Sequence, residues 1–427
     1  MRRTILYIAT GLFLFSAITG ADELEILRSR ILKARPETVR ATTETGASLP
    51  LRLFEDVQVN AILDKIEDNR FNGFVWRGHL DAVPGGWVVL VEDRGCLAGT
   101  VVTAESFYRI RCLENGLHAI DELAPPDSYG DDVAVPDWGY PDPFGPLQSR
   151  ATPLGDEIVE VDILVVYTRR AAKKLFRELD TGYSTKKRAM VSQIKLAVAI
   201  ANTILENSGV NIRLRLVRAR PVKYKATGES SLDLRRLEGS TDGYMEKVHD
   251  WRDRYGADVV SMVLEKFESG FSGRGYQVPS DYPWLADWMF SVVSYDALWW
   301  YSLAHEVGHN MGLAHDRGND SSQPDSRSFK YSRGYRDPEG GFLTVMSYRE
   351  GCSRCRWRIP HFSNKAIRWQ GAPTGNPDLP LTCGDGSNTG PRCGRKTGSN
   401  KADGARSLNK TRQVYTEIRA CEVDCAD

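Results

Sequence analysis

The chain has 427 residues, with 56 basic and 56 acidic side chains and therefore no formal net charge. That balance gives no support to a nucleic-acid or polyanion partner, and a charged fraction of 26% is ordinary for a globular protein. The length leaves room for two domains, each with a core of its own.

Met1-Arg-Arg, the apolar run Ile5 to Ile18 and the small residues Thr19-Gly-Ala21 have the order of a secretory signal peptide over residues 1–21. The apolar run is too short to span a bilayer comfortably. Export to the extracellular space or the periplasm is expected, with no stable membrane insertion once the signal is removed. The eight cysteines agree with an oxidising destination. Six of them (Cys352, Cys355, Cys383, Cys393, Cys421 and Cys425) are near the C-terminus, and Cys96 and Cys112 stand alone upstream.

Residues 23 to about 70 read as charged, helix-compatible sequence. From Phe71 the pattern turns to short apolar runs separated by Pro84-Gly-Gly86, Asp93-Arg-Gly95 and Glu114-Asn-Gly116, which predicts a β-meander. Cys96 and Cys112 fall where neighbouring strands would join them. Residues 124–157 collect Pro125, Pro126, Pro136, Pro141, Pro143, Pro146 and Pro153, a composition that excludes helix and marks a linker open to cleavage, with Arg150 inside it.

Beyond the linker, Val159 to Tyr167 reads as a buried strand and Thr185 to Asn207 as an amphipathic helix stopped by Ser208-Gly209. A strand at Asn211 to Val217, a helical region at Ser231 to Tyr255, and strands at Ala257 to Leu264 and Phe290 to Ser294 follow. The alternation indicates an α/β sheet. Phe271 to Val278 is the candidate exposed edge on which an extended peptide would pair.

The last strand leads into Tyr301-Ser-Leu-Ala-His-Glu-Val-Gly-His-Asn-Met-Gly-Leu-Ala-His-Asp316, which holds three of the seven histidines. On a helix, His305 and His309 share one face and can present imidazole to one metal ion. Glu306 then sits beside the ion, placed to take a proton from bound water and deliver it to a leaving amine. Gly312 lets the helix end in a left-handed turn, so the chain doubles back and offers His315 as third ligand. A structural zinc site is disfavoured, because such sites usually have four protein ligands and often cysteine.

The pattern H-E-x-x-H-x-x-G-x-x-H resembles the metzincin clan of zinc peptidases. Asp316, directly after the third histidine, is similar to the adamalysin/reprolysin branch, and Leu343-Thr-Val-Met-Ser-Tyr348 looks like the clan's Met-turn, with Met346 flooring the metal site. Arg358 to Asn364 and Ala402 to Asn409 are similar to the C-terminal part of bacterial reprolysin-like peptidases. The resemblance implies an α+β (mixed α/β) fold. Its catalytic domain, over 158–427, would be a twisted mixed sheet with the active-site helix and an irregular, disulfide-bearing lobe. A mostly β propeptide-like domain over 22–123 would precede it. The implied activity is that of a secreted zinc endopeptidase made as a zymogen, using one Zn2+ and a peptide or protein substrate. Two other readings have the same metal site: a zinc-retaining binding protein with weak catalysis, and a hydrolase of a non-protein amide. Tyr348 serves as oxyanion donor or further ligand in one reading, and as packing behind the Met-turn in the other. A Cys96–Cys112 disulfide is expected in preference to a Cys96 thiolate switch, and disulfide chemistry is expected for Cys352 and Cys355. The remaining histidines (His79, His118, His249 and His361) are expected to be surface or packing residues.

Overall fold

The structure is a computed structural model, and it describes residues 26–69, 73–103, 106–124, 131–134, 156–178, 182–265, 267, 271–280, 285–320, 327–376, 402–416 and 418. The expected signal peptide, most of the linker including Arg150, and Cys383, Cys393, Cys421 and Cys425 lie outside these residues.

The N-terminal unit is built from β1 (Ile26–Lys33), α1 (Pro36–Ala41), β2 (Ser48–Arg52), β3 (Gln58–Asn69), β4 (Gly73–Leu80), β5 (Trp87–Asp93), β6 (Cys96–Val102), β7 (Phe107–Cys112) and β8 (Leu117–Leu123). These strands form one antiparallel sheet in the order β1-β8-β7-β6-β5-β4-β3-β2. The meander stands where the turn residues put it. Residues 26–69 differ from the helix-compatible expectation: α1 is the one helix there, and the rest is mostly strand. The reason lies in alternation, since Gln58-Val-Asn-Ala-Ile-Leu carries period-two character and β3 gains a ladder against β2 over Gln58 to Ile62 and against β4 from Ala61 to Asn69. Cys96 and Cys112 form the expected disulfide.

A four-residue strand inside the proline-rich stretch, β9 (Asp131–Ala134), belongs to the second sheet. That sheet also contains β10 (Val159–Thr168), β11 (Ile212–Val222), β12 (Val259–Leu264), β13 (Gly273–Tyr276) and β14 (Phe290–Ser294), in the order β11-β10-β12-β14-β13-β9. Strands β11, β10, β12 and β14 are parallel, β13 runs antiparallel to β14, and β9 runs parallel to β13. Between them the chain forms α2 (Arg169–Glu178), α3 (Lys186–Asn207), α4 (Ser230–Glu238) and α5 (Lys247–Arg254), and after β14 it forms α6 (Ser302–Asn310). The single helical region read at Ser231 to Tyr255 is thus two helices, parted at Gly239 and Gly243. The whole is a mixed α/β arrangement.

Helix α3 is capped by Thr185, whose side chain accepts from Arg188 N, and most of its residues are buried. One side packs on β5 and β6 of the first sheet, the other on β11 and α6. It is long and apolar enough to cross a membrane by composition alone, but 78% of the apolar window is buried inside the protein. Burial on both sides explains why its apolar face is so wide. The first sheet keeps a core of its own around Phe74, Trp76 and Leu90 on one face. On the other face, Trp87, Val91, Ala98 and Phe107 share a continuous core with the second unit. The first unit therefore has one core of its own and one that it shares with the second.

After α6 the chain forms a lobe of short ladders, β15 (Arg336–Asp337), β16 (Phe342–Leu343) and β17 (Trp357–Arg358), and later α7 (Gly404–Thr416). Cys352 and Cys355 are disulfide-bonded, and both residues pack on Leu343.

Candidate metal centre and catalytic site

Helix α6 lies under β13 and β14 and is buried along its whole length. It is entered through Tyr301 in the left-handed region, φ +73°. Asn310 fixes it from below, donating to Tyr276 O and Phe290 O at 2.9 Å each. The helix stops at Gly312, φ +76°, where a Cβ would collide with Ser328 Oγ. The chain then reverses and brings His315 back over the helix.

The three histidines converge. Their Nε2 atoms are 3.0 Å apart for His305 and His309, 3.2 Å for His305 and His315, and 2.9 Å for His309 and His315. Each ring is oriented through its far side: His305 Nδ1 donates to Val345 O at 2.7 Å, His309 Nδ1 to Leu313 O at 2.8 Å, and His315 bonds the backbone of Asn319. With the ring proton held at Nδ1, the three Nε2 lone pairs point at one another, which is repulsive unless a cation lies between them. Four ligands tetrahedrally arranged about zinc at about 2.0–2.1 Å are separated by about 3.3–3.4 Å, close to the spacing found here. Burial, and then the neighbouring charges of His309 and Arg358, hold His305 well below its ordinary pKa. Burial and the other two imidazoles do the same for His315. Neutral imidazole is the metal-binding form. This donor set fits a divalent ion such as zinc.

Glu306 is fully buried beside this cluster. Two glycines of β13 make room for it: a Cβ on Gly273 would collide with Glu306 Oε1, and one on Gly275 would lie 3.0 Å from Oε2. Alternate residues of a strand share a face, so Gly273-Arg-Gly275 lets the β13 backbone pass directly over the carboxylate. The sequence marks a glycine-rich stretch here but does not reveal this role; the i, i+2 spacing is the one signal that points to it. Strand β9 continues the sheet beyond β13 at the same place, with Asp131 opposite Gly273, Val133 opposite Gly275, and Gln277 N donating to Ala134 O at 2.9 Å.

The turn at Met346 closes the floor. A Cβ on Gly308 would stand 2.8 Å from Met346 Sδ, so the methionine lies against α6 between the first two histidines. Asp316 ties the turn to the third. Asp316 N donates to Met346 O at 3.1 Å, its carboxylate accepts from Tyr348 N and Gly318 N at 3.0 Å each, and Arg336 Nε pairs with it at 3.0 Å. Tyr348 joins the cluster as well, its hydroxyl 2.7 Å from His315 Nε2. All eight residues singled out from the sequence, His305, Glu306, His309, Gly312, His315, Asp316, Met346 and Tyr348, therefore meet in one place. Val345 O, Arg336 and Arg358 join them, and the sequence assigns none of the three a role here.

Three of the other histidines occupy surface or packing positions. His79 is exposed and bonds Asp64 at 2.7 Å, and His118 is buried, accepting from Leu97 N at 3.1 Å. His361 packs edge-on to Trp369, and burial pushes its imidazole down to about 4. An unfolded chain takes up this proton from about pH 6.5 downward, so the neutral form's contribution to stability is complete above that pH. It drains away as pH falls toward 4. A loss of about 2–3 kcal/mol by pH 4.5 is expected from this residue. Urea unfolding at pH 7 and 4.5 checks it: His361→Phe should shrink the wild-type difference, and an unchanged difference would discount the residue.

Residues 159–360 match the family described as Metallo-peptidase family M12. The chain is similar to the peptidyl-Asp metalloendopeptidase of Xanthomonas campestris pv. campestris, 29% identical over 394 residues, which covers 86% of this chain and 88% of the relative. It is also similar to the peptidyl-Asp metalloendopeptidase of Stenotrophomonas maltophilia, 30% identical over 344 residues, 75% of this chain and 76% of the relative. Among solved structures, metalloproteinase-II from Bacteroides fragilis aligns with 65% of this chain and 84% of its own length, with a TM-score of 0.43 and 11% identity.

Proposed function

The chain belongs to the reprolysin-like metallo-peptidase family M12 and is a metalloendopeptidase, and from that premise we propose a secreted zinc enzyme, made as a latent precursor, that cleaves peptides next to aspartate. The convergence of the three Nε2 atoms carries the metal reading. His305, His309 and His315 hold the ion, Asp316 and Met346 support them, and Gly312 sets the return of the chain. When bound, zinc supplies Lewis acidity and lowers the pKa of a coordinated water to about 7.

The rest is done by the chain itself. Glu306 takes the proton from the attacking water and hands it to the departing amine as the peptide bond breaks. Its place beneath Gly273 and Gly275 puts that proton transfer beside any peptide strand that pairs with β13. The Tyr348 hydroxyl, adjacent to His315, is placed to donate a hydrogen bond to the oxyanion that forms at the carbonyl. The aspartate preference rests on the names of the two relatives.

Latency is supported by β9, which already pairs with the β13 edge, and by the first sheet, whose Phe107 ring packs 4.4 Å from that of Trp300 at the entry to α6. Residues 22–123 act as cover, 124–157 as the segment to be cut, and 158–427 as the peptidase.

The test is chemical. Protein freed of its N-terminal cover should contain about one zinc per chain and cleave a mixed peptide library. Removal of the ion by a chelator should abolish cleavage, and stoichiometric zinc should restore it. Cleavage that survives complete removal of the metal would refute the proposal.

A further inference from the structure

An enzyme that selects aspartate must bring a short carboxylate close to the scissile bond, hence close to the metal, and must meet it there with a cation. We propose that Arg358 is that cation and determines selectivity for an acidic side chain; the inference rests on the aspartate preference proposed above.

Position is the first argument. Arg358 lies on β17, opposite Leu343 of β16, and is 5% exposed. Its Nη2 donates to Ser347 O at 3.0 Å. Ser347 stands between Met346 under α6 and Tyr348, whose hydroxyl is 2.7 Å from His315 Nε2. The guanidinium is thus held against the backbone of the turn that carries Met346 and Tyr348.

A cavity of about 300 Å³ provides the space. Arg358 lines it together with Trp300 and Tyr301 at the entrance to α6, Phe342 and Ile359 of the lobe, and Phe107 of the first sheet. Arg356 lines it too, from an exposed position, so Arg358 is the buried one of two arginines in a largely apolar and aromatic wall, the usual make-up of a pocket that reads a side chain. Arginine suits this role because it stays charged when buried and its planar fork matches a carboxylate through two parallel hydrogen bonds. Because Phe107 of the first sheet forms part of the wall, the pocket reaches its working shape only after the cover has left.

The experiment uses the matured, zinc-loaded enzyme and two peptides that differ only in Asp or Asn at the residue flanking the scissile bond. The readout is the ratio of their kcat/KM values. Wild type should favour Asp. Arg358→Gln should reduce the Asp/Asn ratio by about a hundredfold, the scale set by leaving a bound charge without its partner. Arg358→Lys should keep part of the preference, and Arg358→Glu should move selectivity toward a Lys peptide. Arg356, which lines the same cavity from an exposed position, is the comparator: Arg356→Gln should preserve the ratio, and a ratio that collapses there but not in Arg358→Gln overturns the assignment.

Zinc content and thermal melting of each variant report on the Met346 turn, and Arg358→Lys keeps the test open should the glutamine variant fail to fold. An Asp/Asn ratio unchanged in a folded, zinc-loaded Arg358→Gln enzyme overturns the assignment. Equal loss on both peptides does so too, since that is the mark of a structural role at Ser347. Wild type that cleaves both peptides equally well removes the aspartate preference itself, while leaving the endopeptidase activity standing.

Discussion

Replacing Glu306 by alanine should lower kcat/KM by about 10²- to 10⁴-fold, the range associated with a positioned general base, while the protein keeps its metal. Metal retention follows from the donor set, which is three histidines and does not include the carboxylate. The fold should survive as well. Glu306 is fully buried, and removing a buried charge relieves a desolvation cost at least as large as the packing it gives up. The melting temperature should therefore stay level or rise as activity collapses. Glu306→Asp gives a graded check. Withdrawing the carboxylate by one methylene beneath Gly273 and Gly275 should cost about a hundredfold, as misplacement by about 1 Å does. Glu306→Ala activity within tenfold of wild type, with zinc bound, would remove Glu306 from the mechanism and point to another base.

The second large effect concerns the cover. Activity on a short peptide should rise about a hundredfold or more when the residues preceding about 156 are cut away and separated. A tethered strand competes for its own edge at an effective concentration in the millimolar range, well above ordinary substrate levels. The competitor is β9, paired with β13 from Asp131 opposite Gly273 to Ala134 opposite Tyr276. Cutting alone should release only part of the activity. Trp87, Val91 and Phe107 of the first sheet share one buried core with Leu196, Ala199 and Trp300 of the second unit, so a nicked protein should stay associated until dilute denaturant or a second cut parts the pieces. Size exclusion before and after that treatment, with kcat/KM measured on each fraction, tests this. An intact chain as active as the separated peptidase would end the precursor reading.

Much of the site was legible in the order of residues because it is local. His305 and His309 are one helical turn apart, Glu306 is their neighbour, and Gly312 supplies the left-handed turn that returns His315, so a short stretch of chain encodes the convergence. Most strands and helices from Val159 onward were likewise readable from apolar period, although α2 was not and the region Ser231 to Tyr255 divides into two helices. Residues 26–69 were not, because the alternation there is weak by itself and is decided by the ladder that β4 offers to β3. Helix α3 shows the same limit from the other side. Its composition suits a membrane span as well as a core helix, and only the sheets packed on both its faces distinguish the two.

What the sequence determined by itself is the chemistry: three imidazoles and one carboxylate at spacings that a helix and a glycine turn bring to one point. What the tertiary structure decided is everything that reaches this point from a distance. The Val345 carbonyl orients His305, the Met346 sulfur lies against Gly308, the Tyr348 hydroxyl meets His315, and β9 lies on the edge above Glu306. The partners in these contacts are separated by tens of residues or more, and periodicity carries no information across such gaps. Their placement follows from which faces can be buried together.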